Sequence, residues 1–373
     1  MFKKFAVVAL AGAASLLLVM AGCGKKEGGD TIKIGIAGPM TGDQSRYGVD
    51  FKNGAGLAIE HWMAQGGVMG KRVSVMQEDD QHDPKQAVAV ANKLVNEGVV
   101  GVIGHFNSSC SIPASRVYLD GGIPEITPST TNPEFTEQGY WNAFRVCGRD
   151  DQQGMVAAEF IANGLKKTKV AVINDKTTYG QGITDVFKKS LPAGVQVVYD
   201  GSIIQGDKDF KSVLTTIKSA GPEVVFFGGM YPECGLLLKQ AKELGLDATF
   251  ISGDGSMDMK LIEIAGPAAE GTYVSFTPDP ANIPEAKGFL DEYTKKYGQP
   301  GPYSIYAYVA MDIMLKAIND TKSTDGKTIA EYIRKNSFDG PLGKVEFTPN
   351  GDNKNAHYVM WQVKGGKFVQ VTK

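Results

Sequence analysis

Ile32-Lys33-Ile34-Gly35-Ile36-Ala37-Gly38 runs straight into Pro39-Met40-Thr41-Gly42-Asp43. The first seven residues read as a strand ending at glycine, and residues 49–64 follow as a helix. Phe51, Ala55, Leu57, Ala58 and Trp62 are spaced there to cover one broad face. Outward from this unit the same alternation repeats. Strands are predicted at 73–76, 99–103, 169–173, 195–199, 224–227 and 249–251. Helices are predicted from Pro84 through Val95, at 155–165 and 182–189, around 210–219, and at 234–244. Asp83 suits a helix N-cap and Pro84 the first helical position. Such alternation implies mostly parallel sheets covered by helices, an α/β class. A single sheet holding every strand would be unusually long, so two α/β domains are expected. Residues 272–277 are expected to return toward the first domain, followed by helices at 286–297 and 306–319. The carboxy end turns to short strands at 343–347 and 359–371. The polar run Asp352-Asn353-Lys354-Asn355 suits another interdomain connection.

The chain opens Phe2-Lys3-Lys4, and residues 5–21 are almost wholly apolar or small, the composition of an export signal. The run meets Met20-Ala21-Gly22-Cys23 and looks like a bacterial lipoprotein signal. On that resemblance residues 1–22 are removed and Cys23 carries the lipid. Residues 23–30, polar and glycine-rich, form a tether. The 373 residues less a 22-residue leader leave 351, enough for two domains with substantial cores. Loss of Lys3 and Lys4 takes the formal charge from −2 to −4, and no dense basic run follows, so a nucleic-acid partner is not expected. No later run is long enough to span a bilayer. The expected location is periplasmic or at the cell surface, with membrane contact through the lipid alone.

Familiar catalytic signatures are missing. The first turn lacks G-x-G-x-x-G, and neither G-x-x-x-x-G-K-[ST] nor G-x-S-x-G occurs. His61, His82, His105 and His357 form no tight metal-ligand spacing. Asp79, Asp80, His82 and Asp83 read as an acidic turn capping the helix at Pro84. No enzyme activity, cofactor or metal is expected.

Specific motifs then accumulate. They are Gly38-Pro39-Met40-Thr41-Gly42 with Tyr47-Gly48; Asp83 through Lys93; Gly104-His105 with Ser108-Ser109; and Ile126-Thr127-Pro128. Tyr179-Gly180, Phe210, Gly228-Gly229 and Pro232-Glu233 extend them into the second half. With these motifs the body resembles the leucine/isoleucine/valine-binding proteins, type I solute receptors of ABC importers. The resemblance implies the type I periplasmic-binding-protein fold: two Rossmann-like parallel-sheet domains, three crossovers and a cleft between them. It puts residues 31–149 and 277–353 in an N-terminal lobe and 150–276 and 354–373 in a C-terminal lobe. It implies a monomer that closes on an amino acid and delivers it to an ABC permease. A receptor for another small amino acid or carboxylate, for transport or sensing, is the alternative.

The resemblance also assigns roles. Ser108 and Thr131 belong to the carboxylate-binding set. The Ser129 carbonyl, the Thr131 hydroxyl and Asp254 belong to the ammonium-binding set, with Thr130 in the same stretch. Asp254 stands where the family has glutamate, one methylene shorter. Tyr179 reaches the ligand from the second lobe; Tyr47 and Phe106 enclose the side chain, and Tyr303 forms a more distant wall. Met230 stands where the family has tyrosine, which leaves side-chain preference open. The family's disulfide positions match His82 and Asn107, so that bridge is absent. Cys110, Cys147 and Cys234 then form one bridge plus one thiol, or three buried thiols.

Overall fold

The computed structural model describes residues 31–371. The leader, the lipidation position Cys23, the tether 23–30 and residues 372–373 lie outside the described residues. The first sheet takes β1 (Thr31–Gly38), β2 (Arg72–Asp79), β3 (Val102–Ile103), β4 (Glu125–Thr127) and β5 (Ala143–Arg145) in the order β2-β1-β3-β4-β5. Every pairing in it is parallel. The second sheet uses β6 (Lys169–Asn174), β7 (Gln196–Ser202), β8 (Val224–Gly228), β9 (Thr249–Ser252) and β10 (Tyr273–Phe276). A small separate hairpin, β11 (Ser337–Gly340) with β12 (Gly343–Glu346), precedes β13 (Val359–Lys364) and β14 (Lys367–Gln370). The second sheet runs β14-β13-β10-β9-β8-β6-β7, with β13 and β14 antiparallel. Gly365 and Gly366 both have positive φ, 60° and 72°, as the two-residue turn joining β13 to β14 requires.

Local chemistry explains the elements. The Asp83 carboxylate accepts from the N–H groups of Lys85 and Gln86, both at 2.8 Å, and opens the helix Pro84–Asn96. All five residues of β8 are buried, the continuous apolar run of a strand covered on both faces. The helix Ser304–Thr321 packs along Ser45–Ala64 and against β4, so it belongs to the first lobe.

The structure corrects several expectations. Residues 273–276 do not yet return to the first lobe: β10 lies between β9 and β13, and the chain leaves the second sheet after it. The helix expected at 155 begins at Asp150, where the Gln152 side chain accepts the Arg149 N–H at 3.0 Å, and ends in a wider turn over Phe160–Gly164. Helices Ser108–Asp120 and Gly326–Lys335 are additional. The first has Pro113 and four serines interrupting its apolar period. Strands β3 to β5 span only two or three residues, too few to carry a period. Among the described residues, no helix is long and apolar enough to cross a membrane.

Chain passages between the sheets lie side by side. Asn353 donates its side-chain amide to the Val146 carbonyl at 2.8 Å, and Trp361 its indole N–H to the Thr277 carbonyl at 2.9 Å.

Candidate functional site

Between the lobes, the ends of β3, β4, β8 and β9 converge on a small cavity. The first lobe lines it with Phe106, Ser108, Ser129, Thr131 and Tyr303, and the second with Tyr179, Met230 and Asp254. Eight of the sequence-derived residues therefore meet at one place. Asn107, in the stretch 104–109 at the end of β3 where an α/β fold places ligand groups, and Gly255, to which sequence assigned no ligand role, complete the lining. The enclosed space is about 10 Å³, room for about one water. Larger hollows beside Glu223 and beside Tyr358 share no residue with it.

Asp254 follows β9 on a tight helical turn and is 3% exposed. Its Oδ1 accepts from the Tyr179 hydroxyl at 2.8 Å and the Gln153 side-chain amide at 2.9 Å. Its Oδ2 accepts from the Tyr303 hydroxyl at 2.7 Å, a donor from the opposite lobe. No basic side chain among the described residues pairs with it. Burial holds its carboxyl above the ordinary range, opposed by hydrogen bonds from Gln153, Tyr303 and Tyr179. Gln153 also bonds Asp150 Oδ1 at 2.8 Å, tying two buried carboxyls together. Asp150 is pushed up to about 8, chiefly by burial and then by the charge of Asp254.

The opposite wall is rich in donors. Ser108 begins the helix Ser108–Asp120, whose N-cap Asn107 spends its side-chain amide on Gln44 at 2.8 Å. That helix end is left without a side-chain cap, the electrostatic setting an anion prefers. The loop carrying Ser129, Thr130 and Thr131 is clamped by Arg145, which is fully buried. Its guanidinium donates to the carbonyls of Thr130 at 2.6 Å and Asn132 at 3.0 Å, and its Nε lies 2.8 Å from Asp352.

Two sequence-derived residues are not in the lining. Thr130 turns its hydroxyl into the first lobe, 2.5 Å from Ser111 Oγ and 3.1 Å from Thr127 Oγ1, so it braces the loop. Tyr47 lies behind Phe106, with ring centroids 4.0 Å apart and planes at 12°. Its hydroxyl crosses the cleft to the Gly255 carbonyl at 3.0 Å. Gly255 is needed there: a Cβ would sit 2.8 Å from both the Gly229 carbonyl and Met230 Sδ. The remaining chemistry is structural. Cys110, Cys147 and Cys234 are buried free thiols, which resolves the two alternatives. Asp80 pairs with buried His105 at 2.7 Å, and no metal-holding cluster occurs among the described residues.

Two lobes enclosing a buried polar chamber are the architecture of a receptor that closes over a small solute. The family model for periplasmic binding proteins matches residues 31–367, and the chain belongs to that family. It is an extracytoplasmic solute-binding protein rather than an enzyme. A Leu/Ile/Val-binding protein homolog from Brucella suis is 43% identical over 338 residues, covering 90% of this chain and 91% of that one. A leucine-, isoleucine-, valine-, threonine- and alanine-binding protein from Pseudomonas aeruginosa is 41% identical over 362 residues, covering 96% and 95%. The crystal structure of a leucine-binding protein from Thermotoga maritima superposes with a TM-score of 0.86 at 32% identity, covering 91% of this chain and 98% of that one.

Proposed function

We propose that this protein binds a free amino acid with a branched apolar side chain (leucine, isoleucine or valine) by lobe closure and presents it to an ABC permease. One observation carries the reading. Asp254 is a buried carboxylate held only by neutral donors, so a ligand ammonium supplies the missing positive charge. Across the cavity, Ser108, Thr131 and the uncapped helix end suit the ligand carboxylate. Phe106 and Met230 offer apolar contact and no counter-charge for an ionised side chain. The names of the Brucella, Pseudomonas and Thermotoga relatives support the same ligand class. The small closed cavity, with the Pseudomonas relative's range, favours alanine or threonine as a second reading.

Calorimetry on stripped, full-length mature protein tests this. Branched apolar amino acids are expected to bind at least about 100-fold tighter than glutamate or lysine, a gap of about 2.7 kcal/mol. Preferential binding of a charged side chain, or of no amino acid, overturns it. In this reading the lobes comprise 31–149 with 277–353 and 150–276 with 354–373, and Cys23 anchors the mature chain by its lipid. Intact mass of the native protein tests the anchor: loss of residues 1–22 with added acyl mass is expected, and an unlipidated amino end elsewhere refutes it.

A further inference from the structure

We propose that Gln153 is a positioning residue for the ligand ammonium: its neutral amide fixes the Asp254 carboxylate beside the cavity without cancelling its charge. The inference rests on the amino-acid reading above and adds a residue that acts on the ligand only through Asp254.

Gln153 is fully buried and does not itself line the cavity. All four hydrogen-bonding positions of its amide are used. Nε2 donates to Asp254 Oδ1 at 2.9 Å and to Asp150 Oδ1 at 2.8 Å. Oε1 accepts from the Asp254 N–H at 3.1 Å and from the Ser275 hydroxyl at 3.0 Å. The Asp254 N–H can only donate, so the amide oxygen faces it and the nitrogen faces the two carboxyl groups. One planar group therefore grips Asp254 at backbone and side chain together, and a change of the Asp254 rotamer breaks the bond to Nε2.

Counting acceptor positions shows what this leaves for a ligand. A carboxylate offers about four. Gln153 and Tyr179 occupy two on Oδ1, and Tyr303 occupies one on Oδ2. The fourth, on Oδ2, is left for an ammonium. Neutrality matters as much as placement. A lysine or arginine at position 153 would give Asp254 a resident counter-ion, which an incoming ammonium would have to displace. The glycine before Asp254 admits this packing: a Cβ at Gly253 would collide with the Tyr179 hydroxyl and lie 3.2 Å from Gln153 Oε1.

A double-mutant cycle tests the proposal, with calorimetry of leucine, or of whichever amino acid the native protein binds most tightly. Gln153→Met keeps the length of the side chain and loses all four bonds. It is expected to weaken binding at least tenfold in the native background and less than threefold in an Asp254→Asn background. A purely structural role would weaken binding by the same factor in both backgrounds. Equal factors, or no loss in the native background, overturn the proposal. If Gln153→Met does not fold, Gln153→Glu replaces it in the same cycle, since it keeps an acceptor for the Asp254 N–H but sets oxygen against two carboxyl groups. A second readout needs no ligand: the crystal structure of whichever variant folds. An Asp254 carboxylate turned away from the Tyr179 and Tyr303 hydroxyls supports the positioning role, and an unmoved carboxylate refutes it. If the native protein binds no amino acid, the proposed function fails, and the crystal structure still decides whether Gln153 positions Asp254.

Discussion

The Tyr47 hydroxyl donates to the Gly255 carbonyl across the cleft, so a residue of the first lobe directly satisfies backbone beside the buried carboxylate of the second. Tyr47→Phe removes this bond and leaves the stacking on Phe106 intact. A net hydrogen bond is worth about 0.5–1.5 kcal/mol, so ligand affinity is expected to fall about 2- to 12-fold. Stopped-flow kinetics should place the change in the dissociation rate, because the bond forms only when the lobes meet.

Asp254→Asn keeps the size of the side chain and removes its charge. The loss of a charge-assisted bond to an ammonium is expected to cost about 1.5–3 kcal/mol, or about 10- to 150-fold in affinity. Calorimetry on a variant with native circular dichroism checks it. Unchanged amino-acid affinity would remove Asp254 from the ammonium role.

The two ion pairs at the cleft mouth are expected to differ. Lys208 and Asp43 meet at 2.8 Å, but their side chains are 60% and 63% exposed, so Lys208→Ala is expected to change affinity only about twofold. Arg46 approaches Asp258 at 3.3 Å, and that carboxylate is only 2% exposed. Arg46→Ala leaves it buried without its partner in the closed form and is expected to weaken binding at least fivefold. Equal effects of the two variants would contradict this ranking.

Stability is expected to fall as pH rises through the weakly acidic range. Burial pushes the Asp50 carboxyl up to about 7 and Asp150 up to about 8, from an ordinary value of 3.8. Between the ordinary and the raised value, the folded protein holds a proton that the unfolded chain has released. Each such group therefore removes up to about 1.4 kcal/mol per pH unit as pH rises through that window, and nothing further above it. Thermal melts from pH 5 to 8 should show a shallower slope for Asp150→Asn than for the native protein; equal slopes would exclude Asp150 as a source.

What was legible in the sequence follows from how local each interaction is. The helix start at Asp83-Pro84 was readable because the carboxylate bonds N–H groups two and three residues away. Asp254 and Tyr179 were found through motifs carried by resemblance, and their 2.8 Å contact fits that reading. Gln153 was missed because nothing near it marks a role: it meets Asp254 from 101 positions away, on a helix whose start was itself misjudged. Thr130, expected at the ligand with Thr131, lies outside the cavity lining, and neighbouring threonines look alike in sequence. Only the backbone course of the loop sends the hydroxyl of one inward and leaves the next on the cavity wall.

Cys110, Cys147 and Cys234 are all buried, and desolvation raises each thiol above its ordinary range. A thiol-directed dye therefore finds no exposed native target among the described residues. Cysteines placed at Asp43 and Lys208, on facing lips of the cleft, would take a dye pair without prior deletion of Cys110, Cys147 or Cys234. Because these two positions touch when the lobes are closed, opening would be read in real time as relief of contact quenching between the two dyes.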